Sequence, residues 1–150
     1  MAKPIGTLGT IETLTVGGRV FTDLTNLIVL TTGSGTLARN SVFYKSDSGA
    51  PAAYQVPGAT SFFVDVLMSS VAYVPASELF SVSLFYTDDN IGNENAGTGT
   101  NPVYWPANLT SVCITDRQTF YYPRWTIPTG KYLNGAFTYR GGYQVFGYEV

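Results

Sequence analysis

The sequence predicts an all-β protein: an antiparallel β-sandwich, jelly-roll-like in its corners, preceded by an extended N-terminal arm. Three observations predict it. Runs of strand length carry apolar residues at every second position, the pattern of a strand with one face on a core. Gly, Pro, Asp and Ser close these runs at short intervals. No stretch of helix length carries a 3.6-residue period between capping residues.

Residues 1–18 (MAKPIGTLGTIETLTVGG) place Ile5, Leu8, Ile11 and Leu14 about every third residue. That spacing alone suits a helix, but the intervening glycines and β-branched threonines oppose one. An arm lying across a neighbouring surface suits the pattern better than a solvated tail. Burying each of the four side chains is worth about 1.5–3 kcal/mol before ordering costs. Residues 19–150 read as a single sandwich domain.

Strands begin at Arg19 with Val20-Phe21. Asn26 to Thr31 is continuously apolar at its centre and reads as buried on both faces. Ser41 to Lys45 follows, then Ala53 to Val56. Ser61 to Val74 is the longest; Phe62, Val64, Val66 and Met68 predict an inward even face, with Asp65 and Ser69 outward. Leu79 to Thr87 alternates likewise, Phe80, Val82, Leu84 and Tyr86 inward. Residues 88–103 are polar and glycine-rich, the composition of an exposed loop. Val103 to Trp105 and Thr110 to Ile114 are short strands.

Residues 119–150 hold Phe120, Tyr121, Tyr122, Trp125, Tyr132, Phe137, Tyr139, Tyr143, Phe146 and Tyr148. This concentration of large rings is expected to form the centre of the core. Pro128-Thr129-Gly130 reads as a tight turn, since proline presets φ and glycine accepts a positive one. Gly141-Gly142 reads as a second turn. The final strand is expected to end inside packed protein.

At 150 residues the chain can bury roughly two-thirds of its unfolded surface without staples. Its charged fraction is 12%, against about 25% in ordinary soluble domains. Thr, Ser, Asn, Gly and Tyr stand where Lys and Glu usually keep a monomer soluble. Covering of that surface by copies of the chain or by a partner is the reading we favour. The eight Lys and Arg residues are scattered singly and the net charge is −2, so nucleic-acid binding lacks its electrostatic term. Cys113 stands alone and forms no internal disulfide. No apolar run has the length of a signal peptide or a membrane span, which points to synthesis in a reducing cytoplasm.

There is no histidine, which removes the usual catalytic base and the usual zinc ligand together. Carboxylate pairs of the glycosidase kind remain, but most of the ten acids sit beside turn residues. Asp65 is the exception, mid-strand between Phe63 and Leu67, and a structural role for it outweighs a catalytic one. No catalytic residue, cofactor or metal is expected. Asp88, Asp89, Asn90, Gly92, Asn93 and Glu94 offer oxygen atoms to calcium, yet Ile91 breaks the EF-hand spacing. Trp105, Tyr121, Tyr122, Trp125, Tyr143 and Tyr148 are the candidate interface or ligand aromatics: sugar-stacking rings if exposed, core or subunit contacts otherwise. Arg124, between rings, is placed for cation–π contact in either case.

Tyr54-Gln55-Val56-Pro57-Gly58 echoes Trp125-Thr126-Ile127-Pro128-Thr129-Gly130, and two related corners fit the two Greek keys of a jelly roll. These corners, with Gly142-Tyr143-Gln144-Val145-Phe146-Gly147-Tyr148, resemble the small β-sandwich accessory proteins of tailed bacteriophage virions, of head-decoration and fibre type. The resemblance implies a jelly-roll-like subunit, often trimeric, that coats a capsid or builds a fibre. Its partners would be further copies and a major capsid or other virion protein, with neither nucleic acid nor membrane. A receptor- or carbohydrate-binding module using loop 88–109 and Trp105 is the alternative.

Overall fold

The computed structural model describes residues 12–32, 40–47, 52–71, 80–92, 97–105, 109–111, 118–137 and 141–150. Among these residues there is no helix, and every strand pairing is antiparallel. The strands are β1 (Leu14–Val16), β2 (Arg19–Phe21), β3 (Ile28–Thr31), β4 (Asn40–Val42), β5 (Tyr44–Lys45), β6 (Phe62–Val71), β7 (Phe80–Thr87), β8 (Val103–Tyr104), β9 (Leu109–Ser111), β10 (Gln118–Tyr121), β11 (Trp125–Ile127), β12 (Tyr132–Phe137) and β13 (Gly141–Glu149). A six-stranded sheet runs β10-β6-β13-β3-β5, with β11 also on β6. A five-stranded sheet runs β4-β12-β7-β8, with β9 also on β7. β1 and β2 form a hairpin of their own.

The two larger sheets share one apolar cluster. Leu30, Val64, Leu67 and Val145 come from the six-stranded sheet, and Val82, Leu84, Leu133 and Phe137 from the five-stranded one. As expected of the aromatic stretch, β12 and β13 lie inside their sheets rather than at the edges. Tyr143 stacks on Phe137 with ring centroids 3.6 Å apart. One flank is closed covalently. Residues 40–42 pair with β12 and residues 44–45 with β3, so the chain changes sheets at Phe43. That ring is fully buried.

The two echoing corners lie against each other. Val56 N donates to Lys131 O at 3.0 Å, Gly130 N donates to Val56 O at 2.8 Å, and Gln55 bridges Tyr132. Each is a tight turn with positive φ at its third residue, Ala59 (62°) and Gly130 (81°), so Pro128-Thr129-Gly130 turns as the sequence predicts. Gly141-Gly142 does not turn. Both residues are extended in β13, opposite Val71 and Ser70.

The long strand departs from its expected alternation. β13 pairs Phe146 with Val66 but Gly147 with Val64, so Asp65 is an extra residue, a β-bulge. Before it, Phe62 and Val64 face the shared core. After it, Leu67 joins that core and Ser69 is fully buried, while Val66 packs in a second cluster with Val16, Phe21 and Phe146, and Met68 lies against it. Even-in, odd-out therefore fails beyond Asp65, because one inserted residue reverses every later side chain. The second cluster also receives Leu27 and Val29, while Ile28 and Leu30 go to the first. The strand expected to be buried on both faces has an apolar cluster on each. The hairpin β1–β2 is what covers the outer one.

Tyr54 OH donates to Glu149 Oε1 at 2.9 Å. Burial, then that bond, then the Glu149 charge push the phenol far above its usual pKa, and burial does the same for Tyr143. Both phenols keep their proton in the folded state, whereas the unfolded chain releases it near pH 10. Their contribution is therefore complete below about pH 10 and lost as pH rises through and beyond it. Urea unfolding should show stability falling by up to about 1.4 kcal/mol per pH unit per tyrosine on the alkaline side. Tyr54→Phe should flatten that slope, and unchanged stability to about pH 11 would contradict the assignment.

Candidate functional site

Asp65 is 4% exposed, although it sits in a strand. Arg19 Nη2 and Nε, on β2, donate to its Oδ2 at 3.0 and 3.2 Å. Arg124 Nε lies 3.5 Å from its Oδ1. Two features of the neighbouring strand make room for this clasp. β10 ends with Tyr121 opposite Leu67 and β11 starts with Trp125 opposite Val64. Between them Tyr122-Pro123-Arg124 leaves the ladder, and Arg124 takes a left-handed φ of 50°. A bulge on one strand thus faces a break on the next, and the carboxylate holds both to the hairpin.

The hairpin turns at Gly17-Gly18, with φ of 56° and 84°. A Cβ on Gly17 would stand 2.4 Å from Phe120 Cγ, so the turn sits directly on that ring. Tyr122 OH donates to Gly17 O. Leu14, expected in the arm, belongs to β1 and is 37% exposed. Ile5, Leu8 and Ile11 lie outside the described residues, as does Cys113. The arm boundary drawn after residue 18 thus falls inside a hairpin.

The candidate aromatics divide into three groups. Trp105, Tyr121 and Trp125 are half-buried against the shared core. Trp105 Nε1 donates to Pro123 O at 2.8 Å and Trp125 stacks on Tyr86 at 5.3 Å. They close the flank of the two sheets opposite Phe43. Tyr143 is 2% exposed and Tyr148 packs in the outer cluster beside Phe21. Tyr143 is thus a core ring and available neither to a ligand nor to a partner. Tyr122 alone of the six is well exposed, together with Tyr104 on β8. Arg124 meets a carboxylate rather than a ring. The cation over a ring among the described residues is Lys45, 5.9 Å from the Tyr54 centroid.

The polar loop after β7 folds back on the five-stranded sheet. Ile91 is buried with Phe85 and Val42. Asp88 N donates to Thr100 O at 3.1 Å, and Thr100 N to Asp89 Oδ1 at 2.7 Å. Lys131 pairs with Asp88 Oδ1, and Asn101 Nδ2 donates to its Oδ2 at 2.8 Å. The Lys131 hydrogen bond, then that of Asn101, holds the Asp88 carboxyl below its usual range. These oxygens serve the loop itself. Among the described residues no three His, Cys, Asp or Glu side chains gather as metal ligands.

Sequence reasoning singled out Asp65 but missed both its partners and the bulge. Gly147, a lone glycine between Phe146 and Tyr148 within a strand, was the available signal. Gly17-Gly18 between Val16 and Arg19 was the signal for the hairpin. No protein-family model, curated protein or solved structure matches the chain.

Proposed function

We propose that this chain is a non-enzymatic structural subunit of a virion, a jelly-roll-like capsid decoration protein that binds the lattice and its own copies. The observation that carries the reading is where the charges go. All four described basic side chains are committed within the chain: Arg19 and Arg124 to Asp65, Lys131 to Asp88, and Lys45 over Tyr54. Asp23 accepts from Asn26, Asp89 from Thr100, and Glu149 from Tyr54. A chain already poor in charge thus spends much of it on its own fold. Val20, Val103, Tyr104 and Tyr122 stay exposed, apolar and aromatic side chains that a protein partner could cover.

Strand order supports the jelly-roll part. Take β3, β4–β5, β6, β7, β8–β9, β10–β11, β12 and β13 as eight successive strands. One sheet then orders sixth, third, eighth, first, with the β5 end of the second beside the first, and the other orders second, seventh, fourth, fifth. That is the arrangement two Greek keys produce, met in viral capsid and lectin domains. Fold alone does not choose between those two. For the lectin alternative, the exposed rings of Tyr104 and Tyr122 are what remain, since both tryptophans pack on the core.

Light scattering on the purified chain, run beside a glycan array, separates the two. A closed oligomer, a trimer on this reading, with a blank array is expected. A monodisperse monomer that binds defined glycans would overturn the assignment in favour of the lectin.

A further inference from the structure

We propose that the hairpin Leu14–Phe21 is exchanged between copies, so that the outer face of the six-stranded sheet is clasped by the hairpin of a neighbour. The inference rests on the assembly reading above and names its device. Three observations lead to it. First, no backbone ladder joins the hairpin to the sheet it covers among the described residues. Its attachments are side-chain ones: Val16 and Phe21 on Val66 and Phe146, Arg19 on Asp65, and Tyr122 on the turn. Second, a two-stranded hairpin this short is not stable alone in water, so it behaves as a ligand for that face rather than as a folded unit. Third, it is tethered by Thr22 to Asn26, a turn closed by Asn26 N donating to Asp23 Oδ1. Among the described residues this turn is docked only through Leu24 on the outer cluster and Tyr148 OH on Asp23 O, so opening it frees the hairpin to reach out. Five extended residues reach about 17 Å.

The occupant is a second copy because the face already fits this segment residue for residue. Asp65, buried and aimed out of its sheet, selects a hairpin that carries an arginine at the right place. An exchanged hairpin makes the same contacts as a retained one, the condition under which swapping between identical chains costs little. Passing each hairpin to the next copy leaves no apolar face bare in a closed ring.

The test uses the full chain with a photo-cross-linking p-benzoyl-phenylalanine in place of Phe21, expressed in isotopically heavy and light forms. The two are mixed equally, unfolded, refolded together and irradiated. Cross-linked peptides joining the hairpin to β13 are then read by mass spectrometry in the oligomer fraction. Pairs with one heavy and one light partner are expected there. Mixed oligomers that yield only same-isotope pairs would overturn the exchange and leave the assembly reading standing. Absence of any oligomer would overturn both. If the probe at Phe21 prevents folding, the same probe at half-buried Tyr148 reads the contact from the other side.

Discussion

Gly147→Ala should lower stability by about 3 kcal/mol, the upper range for forcing atoms into a packed interior. The added Cβ would stand 2.2 Å from the backbone oxygen of Phe63 and 2.6 Å from Phe62 Cζ. The first of these contacts is with main chain, which cannot swing aside. It lies where β13 faces the bulge at the centre of the six-stranded sheet. Widening the bulge would displace Asp65 from Arg19 as well as disturb the ladder. Gly142→Ala on the same strand meets nothing within 4 Å and should change stability by less than about 0.5 kcal/mol. Urea unfolding of the two variants checks the contrast. Equal effects would mean that the bulge is not held as described.

Asp65→Ala should cost about 3 kcal/mol, the lower end for removing one partner of a buried ion pair. The lower end applies because Arg19 and Arg124 keep 33% and 51% of their side chains exposed and can turn to water. The loss should be felt unevenly. Arg19 is the hairpin's one charged anchor to the sheet among the described residues, so β1 and β2 should loosen before the shared core does. Hydrogen exchange should quicken at Val16 and Arg19, the pair that flanks the hairpin turn, while Val82 and Leu133 keep their protection. Asp65→Asn retains an acceptor for Arg19 and should lie between. A uniform loss across both clusters would show that the clasp supports the whole fold rather than the hairpin.

How far the fold was legible depends on what each local pattern constrains. The alternation of Val82, Leu84 and Tyr86 states which face of β7 is inward, and that face is inward. Pro128-Thr129-Gly130 specifies a turn through φ alone and makes one. Asp65 defeats the same reasoning because a bulge leaves the composition of a strand unchanged while reversing its faces. Gly141-Gly142 has turn composition, but pairing with Val71 and Ser70 holds it extended. The partners of Asp65 were out of reach for another reason. Arg19 and Arg124 lie 46 and 59 positions away, and no local period links residues so distant. Burial of Tyr143 against exposure of Tyr122 likewise follows from strand position, which composition does not record.

The outer cluster has a wider consequence. Burying Val66, Met68 and Phe146 under a hairpin gives the six-stranded sheet an apolar layer on each side, where a solvated face would otherwise carry charge. The chain can dispense with lysines and glutamates there only while the cover stays in place. Self-association through such surfaces draws little on Coulomb attraction and should respond weakly to salt.

Sedimentation velocity of the purified chain over a range of concentrations, at low and at high sodium chloride, tests this most directly. A discrete multiple of the 16.2 kDa chain is expected, its proportion growing with concentration and unaffected by salt. A single 16.2 kDa species at every concentration, in both salts, would contradict it.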